Sequence, residues 1–230
     1  MIPATHNEIE QIYLAVEANA SRSICVTACH SGDGVTSIAT ALTERLLLAG
    51  YATLLVDLNL FKSGFEAISF DQVNTESEVH WLQPINTHRL FTGVALPQHP
   101  SVIVNYRSPQ FLTQQIHSWL QEFDRVVIDT SPLLQVNRGN IPAQSVSSAC
   151  EHTLMVVLGG KTTESQLEQA HELLLRNHSN NIGMVLNNMR QATLGEEMVR
   201  ELNRFKLLPA RLRNALSQQI LKNQWLSTIA

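Results

Sequence analysis

Short apolar runs, rich in β-branched residues, alternate with longer amphipathic segments along most of the chain. Six of these runs have the length and composition of strands that are buried on both faces. They are Ile24–Ala28, Thr53–Val56, Leu90–Val94, Val126–Ile128, Leu154–Leu158 and Ile182–Leu186. The pattern therefore predicts six core strands.

The segments between these runs have the periodicity and the end signals of helices. Apolar residues recur at helical spacing over Ile38–Leu48, and Gly50 follows as a C-terminal glycine. A second apolar face occupies Phe111–Leu120, and Thr163 with Gln166 has the pattern of a capping box. Strands that alternate with helices predict an α/β fold with a central, mostly parallel sheet, flanked by helices in three layers.

Two regions are harder to assign. The segment Phe61–His88 is polar and weakly periodic, so we expect it to hold one or two short helices. In Pro209–Trp225 apolar residues recur at helical spacing beside three basic ones, Arg211, Arg213 and Lys222. Such a helix binds a membrane or packs on protein, and three basic residues give a thin attraction to lipid, which favours packing.

Composition narrows the class of protein. The 230 residues are 44% hydrophobic and 16% charged, with a formal net charge of −4, which predicts a globular protein and argues against a nucleic-acid-binding surface. We expect a single domain over 1–230, with an N-terminal helix in 1–20 and a C-terminal helix in 209–230. The three cysteines (Cys25, Cys29 and Cys150) lack metal-ligand spacing and are interpreted as buried thiols of a cytoplasmic protein. No signal peptide or membrane-spanning run is apparent.

A glycine-rich loop follows the first predicted strand. Its residues are Ser31, Gly32, Asp33, Gly34, Val35, Thr36 and Ser37. In a phosphate-binding loop the glycines allow backbone N–H groups to surround a phosphate, a lysine neutralises it, and a hydroxyl ligates Mg²⁺. Here the glycines and Thr36 are in register, but Val35 stands at the lysine position. Two interpretations stay open: a loop kept only for folding, or a weak nucleotide site.

Acidic residues follow two other predicted strands. Asp57 ends the strand around Leu54–Val56, and Asp129 ends the strand around Val126–Ile128. Strand-terminal acids of phosphate-loop proteins face Mg²⁺, so Asp57 and Asp129 are expected to surround one ion together with Thr36. The alternative is that these acids cap neighbouring loops.

Together these motifs resemble the ParA/MinD-type deviant P-loop ATPases. The resemblance is strongest to the cytoplasmic domains of bacterial tyrosine kinases that control capsule and exopolysaccharide export, and it extends to about Met189. It implies a P-loop NTPase-like fold, ATP or ADP with Mg²⁺ as ligand, and Asn187 or Asn188 beside the nucleotide base. It also implies that Asp57 and Asp129 serve the metal and the attacking group.

The chain departs from this family at several positions. Val35 replaces the loop lysine, and His30 replaces the signature lysine of the MinD-like branch. Of the kinases' N-terminal oligomerisation pattern only Glu8 remains, with Gln11 and Leu14 at the arginine positions. The three tyrosines (Tyr13, Tyr51 and Tyr106) form no C-terminal cluster, so autokinase activity is not expected.

These departures lead to three hypotheses about function. The first is a pseudo-ATPase or pseudokinase that regulates exopolysaccharide or capsule biosynthesis through a membrane-embedded export or chain-length protein, with nucleotide binding weak or absent. The second is a slow ATPase for which a partner, Arg125 or Lys161 supplies the missing charge. The third is a MinD-like protein that contacts the inner membrane directly. A homo-oligomer is compatible with all three.

Overall fold

The computed structural model of the chain describes residues 2–60, 64–68, 79–85, 89–95, 99–135, 139–188, 194–204 and 210–222. The chain divides into two compact units. The first unit comprises Met1–Val157 and Thr162–Leu186, and the second comprises Leu158–Lys161 and Asn187–Ala230. The candidate phosphate loop and both strand-terminal acids belong to the first unit.

Within the described residues, eight strands form one mixed sheet. In chain order they are β1 (Ser23–Ala28), β2 (Thr53–Leu58), β3 (Phe65–Ile68), β4 (Val79–Pro84), β5 (Phe91–Val94), β6 (Arg125–Thr130), β7 (His152–Leu158) and β8 (Asn181–Asn187). Their order across the sheet is β3-β4-β5-β2-β6-β1-β7-β8. The central pairings β5–β2, β2–β6, β6–β1 and β1–β7 are parallel, whereas β4 is antiparallel to both β3 and β5.

Helices follow most of the strands. They are α1 (Asn7–Ala18), α2 (Val35–Leu48), α3 (Pro100–Tyr106), α4 (Pro109–Glu122), α5 (Ala143–Ala149), α6 (Glu164–Arg176), α7 (Leu194–Arg204) and α8 (Ala210–Lys222). In the second unit α7 and α8 pack on each other. None of the helices in the part of the chain that the structure describes is long and apolar enough to cross a bilayer.

The central strands bury side chains on both faces, which gives the fold its three layers. In β2 the side chain of Leu55 packs with the core under α1 and α2. Its neighbours Leu54 and Val56 pack on the opposite face with Trp119 of α4 and Val146 of α5. Successive strand residues point to opposite faces, so a continuous apolar run supplies both cores. The predicted three-layer α/β fold is confirmed.

All six predicted strands are present, with ends that differ by up to two residues. The capping box at the start of α6 is also confirmed, because Thr163 Oγ1 accepts from the Gln166 amide and Gln166 Oε1 accepts from the Thr163 amide. Cys25, Cys29 and Cys150 are buried free thiols, as expected.

The expectation of short helices in Phe61–His88 is wrong for the described part of this segment. Residues 64–68 and 79–85 contain the antiparallel pair β3–β4, which extends the sheet beyond β5. One face of this pair is buried through Phe65 and Leu82, while Glu66 and Trp81 on the other face are exposed. Because only one face is buried, these strands have no continuous apolar run, so the apolar pattern of the sequence does not predict them.

Gly93 in β5 provides a test of this packing. A Cβ atom at Gly93 would lie 2.3 Å from the backbone oxygen of Leu55 and 2.4 Å from Leu82 Cδ1. We expect Gly93→Ala to lower the free energy of unfolding in urea by about 1–3 kcal/mol, because the backbone oxygen cannot move aside. The control is Gly183→Ala in β8, where a Cβ would meet no atom within 4 Å. Equal stability of the two variants would contradict the described β2–β5 packing.

Candidate functional site

The loop that joins β1 to α2 has the backbone of a phosphate-binding loop. Gly32 and Gly34 adopt positive φ values of 85° and 110°, which residues with a Cβ rarely adopt. Helix α2 begins directly after Gly34, and no side chain caps its first turn. The N–H groups of a helix start and of a glycine-rich turn favour anions, so the predicted loop geometry is present.

Two side chains bind amides within this loop. Asp33 is fully buried, and its Oδ2 accepts a hydrogen bond from the His30 amide at 2.9 Å. The Ser31 amide donates to Gln135 Oε1 at 2.6 Å, which links the loop to the segment after β6. His30 Nδ1 lies 3.8 Å from Asp33 Oδ2. These contacts hold the loop in place and add a buried carboxylate at its centre.

Val35 belongs to the hydrophobic core. Its side chain is 8% exposed and packs in the apolar cluster that includes Val26, Ala28 and Ile38. A valine here supplies core contacts but neither charge nor a hydrogen bond. The loop therefore has its glycines and its hydroxyl residue but no cation at the lysine position.

Thr36 and the two predicted acids come together. Thr36 Oγ1 donates to Asp129 Oδ2 at 2.6 Å, and Asp57 pairs with Asp129 in the parallel register of β2 and β6. Asp57 Oδ1 accepts from the Asn59 amide at 2.9 Å. Both carboxylates are almost fully buried, with exposures of 1% for Asp57 and 0% for Asp129.

Of the two paired acids, Asp129 has a pKa that burial and charge repulsion shift. Burial, and then repulsion from Asp57, raise the pKa of Asp129 well above its usual range, while hydrogen bonds from the side chains of Thr36 and Asn59 oppose the rise. Its second oxygen, Oδ1, has no hydrogen-bond partner among the described residues. A buried carboxylate oxygen without a partner costs free energy that a cation would recover.

These three residues suit a hard divalent cation. Mg²⁺ prefers carboxylate and hydroxyl oxygens and usually keeps several waters, so two carboxylates and one hydroxyl are sufficient protein ligands. No group of three or more His, Cys, Asp or Glu side chains within the described ranges is arranged to hold a metal.

The remaining predicted residues are placed as follows. Ser37 is half-buried as the third residue of α2. Asn187 ends β8, and Asn187 and Asn188 belong to the second compact unit. Their position beside a nucleotide base stays a prediction, as does a role for Lys161, which is also in the second unit.

Arg125 does not reach the acids. It is the first residue of β6, whereas Asp129 is the fifth, and four strand residues span about 13 Å. Its guanidinium binds Glu17 Oε1 at 2.9 Å and lies over the Tyr51 ring at 4.0 Å from the centroid. The hypothesis that Arg125 replaces the loop lysine within its own chain is therefore wrong.

Two residues near the loop were not found from the sequence. Gln135 binds the Ser31 amide across 104 positions of sequence, and Gly64 lies against the side chain of Thr36. Neither carries a motif of its own. Their roles depend on tertiary contacts that no local pattern indicates.

The sequence of the chain is similar to those of several bacterial proteins. No family model matches the chain. Tyrosine-protein kinase CpsD of Streptococcus pneumoniae is 26% identical over 196 residues, which cover 78% of this chain and 84% of the relative. CpsD of Streptococcus agalactiae is 23% identical over 207 residues, covering 81% of this chain and 87% of the relative. The chain is a homologue of these bacterial tyrosine kinases.

Solved structures agree on the fold of this homologue. The kinase domain of the Escherichia coli tyrosine kinase ETK superposes with a TM-score of 0.58 at 19% identity and covers 80% of this chain and 75% of that one. The septum site-determining protein MinD from Pyrococcus horikoshii, solved with Mg-ADP, gives a TM-score of 0.54 at 18% identity, with coverage of 74% and 72%. The expected ParA/MinD-type P-loop fold is confirmed.

The raised pKa of Asp129 predicts how stability varies with pH. The folded protein keeps a proton on Asp129 at pH values where the unfolded chain has released it, so the folded state binds more protons. Stability should then fall as pH rises from the ordinary carboxyl range towards the folded pKa. We expect Asp129→Asn to raise the melting temperature at pH 7 and to flatten the decline of the melting temperature as pH rises above the ordinary carboxyl range. A variant with a lower melting temperature and an unchanged pH profile would contradict this.

Arg125 should contribute to stability and not to ligand binding. Arg125→Ala removes the Glu17 ion pair and the contact with Tyr51, so we expect a loss of about 1 kcal/mol in urea unfolding. Calorimetric affinity for Mg·ADP should be unchanged. A loss of affinity for Mg·ADP with unchanged stability would contradict this and would show that Arg125 takes part in ligand binding.

Proposed function

We propose that this chain is a regulatory P-loop protein of capsule or exopolysaccharide biosynthesis that binds Mg·nucleotide weakly or not at all. Its homologues are bacterial tyrosine kinases, and the single observation that carries the proposal is the buried valine at the lysine position. In this proposal the protein acts from the cytoplasm through a membrane-embedded export or chain-length protein.

The charges of the site support weak binding. Asp33 lies within the loop, Asp129 bonds its Thr36, and Asp57 lies beside Asp129, while a valine stands at the lysine position. A nucleotide phosphate would therefore meet carboxylates without a compensating side-chain cation in this loop. A hydrogen bond to a charged group is worth about 1.5–3 kcal/mol, which corresponds to about 10- to 100-fold in affinity. Mg²⁺ would offset part of the repulsion when it enters with the nucleotide.

The expected loss is larger for catalysis than for binding. A charge directed at the transition state typically supplies on the order of 10²–10³ in rate. The tyrosines also give little support to autophosphorylation. Tyr106 is buried, and the Tyr51 hydroxyl donates to Glu17 at 2.7 Å. We therefore propose that the chain relays the state of its membrane-embedded partner and does not turn over a substrate efficiently.

The preserved acids favour one second candidate. Thr36, Asp57 and Asp129 lie together at one end of the sheet, which supports a Mg²⁺ site that a loop retained only for folding would not need. A slow ATPase that a partner protein, or a second copy of this chain, completes with a cation would need this arrangement. Under this candidate turnover depends on the partner.

Substitution of Val35 is the direct test. We expect Val35→Lys to raise the calorimetric affinity for Mg·ADP by about 10- to 100-fold, because the lysine stem follows the apolar wall while its ammonium group reaches the phosphate. Val35→Met is the matched control, since its side chain is of similar length but carries no charge. It should bind no better than the wild type.

Three results would contradict different parts of this proposal. Micromolar binding and steady ATP hydrolysis by the isolated wild type would refute the proposal of a degenerate site. Hydrolysis that appears only with a partner and disappears in Asp129→Asn would favour the second candidate. An equal gain in Val35→Lys and Val35→Met would show that side-chain charge is not what the site lacks.

A further inference from the structure

Gly64 is packed against the hydroxyl-bearing side chain of the candidate site. A Cβ atom at Gly64 would lie 2.4 Å from Thr36 Cγ2, 3.0 Å from Thr36 Oγ1 and 3.2 Å from Thr36 Cβ. Real Cβ atoms do not approach other atoms as closely as the first of these distances. Gly64 does not have a positive φ, so packing, and not backbone conformation, requires the glycine.

Thr36 has little freedom to move away from Gly64. Its side chain is β-branched and therefore stiff at χ1, and it lies in the first turn of α2. Its hydroxyl is held by Asp129 Oδ2 at 2.6 Å. Gly64 thus lies against the side chain whose hydroxyl would ligate a cation at this site, nearest to its methyl group.

Contacts with β3 and with the residue after β4 also fix the position of Gly64. Its carbonyl oxygen accepts a hydrogen bond from the Ile85 amide at 3.1 Å, directly after β4. The next residue, Phe65, begins β3, is 7% exposed and packs in the core that also contains Val35 and Leu82. The contact on Thr36 is therefore anchored by the β3–β4 pair.

We propose that Gly64 and strand β3 form a latch that keeps the Thr36 hydroxyl on Asp129 and must move before Mg·nucleotide can use that hydroxyl. The proposal takes its ligand from the function proposed above. The latch couples occupancy of the site to the β3–β4 pair, which lies at the edge of the sheet and has an exposed face. A ligand-dependent rearrangement of this edge would then be available to a partner protein.

A pair of substitutions tests the contact independently of any ligand. Gly64→Ala places a methyl group on Thr36, and Thr36→Ser removes Cγ2, the nearest obstacle. The readout is native-state hydrogen exchange of the Ile85 amide, whose acceptor is Gly64. We expect Gly64→Ala to accelerate this exchange by about tenfold or more, as an overpacked contact should. Thr36→Ser alone should stay near the wild type.

The double variant decides between a specific contact and general damage. Gly64→Ala with Thr36→Ser should return the exchange rate most of the way to that of Thr36→Ser, because the two residues are coupled. Gly183→Ala, which meets no atom within 4 Å, should change nothing. Unchanged exchange in Gly64→Ala, or no recovery in the double variant, would overturn the latch.

Calorimetry with Mg·ADP then tests the gating. Because Gly64→Ala weakens the latch, it should bind Mg·ADP several-fold more tightly than the wild type in the Val35→Lys background, where binding is measurable. If Val35→Lys binds and Gly64→Ala adds nothing or weakens binding, the latch is refuted and the proposed function stands. If no variant binds Mg·ADP, the gating is refuted, while a regulatory protein that binds no nucleotide stands. Micromolar binding by the wild type would instead refute the proposed function.

Discussion

The hydrogen bond between Thr36 and Asp129 connects the parts on which the candidate site depends. It joins the first turn of α2 to the C-terminal end of β6, and β6 aligns Asp129 with Asp57 in β2. Two buried carboxylates side by side repel each other, and the hydrogen bonds from Thr36 and Asn59 to Asp129 offset only part of that repulsion. We propose that this unfavourable arrangement is kept because a cation binds there, and such a site would distinguish the chain from a P-loop protein that has lost its metal ligands.

Val35, in the same loop, argues against tight nucleotide binding. The position that carries the lysine in active loops is filled by an apolar side chain that is part of the main core. The backbone geometry of Gly32 and Gly34 is preserved while the positive charge is gone. The acidic residues that could bind a cation are therefore present, while the lysine that would bind a phosphate is replaced by a valine. A regulatory protein with weak nucleotide binding is consistent with both facts.

Most of the fold and the core of the site could be predicted from local patterns. Continuous apolar runs such as Leu154–Leu158 identify central strands because both of their faces are buried. Asp57 and Asp129 were placed correctly, since strand ends in parallel register meet at one edge of the sheet. The β3–β4 pair was missed because only alternate residues are buried, and Gly64 and Gln135 were missed because their contacts are tertiary. Arg125 is close to Asp129 in sequence, but an extended strand places the two residues about 13 Å apart, at opposite ends of β6.

Binding of Mg·ADP to the unmodified protein is the most direct test of this account. Titration calorimetry at millimolar ligand, with and without EDTA, measures both the affinity and its dependence on the metal. The account predicts a Kd on the order of 0.1 mM or weaker in Mg²⁺, and no heat of binding once the metal is removed. A Kd on the order of 1 μM, or equal binding without Mg²⁺, would show that Val35 and the three carboxylates do not limit the site.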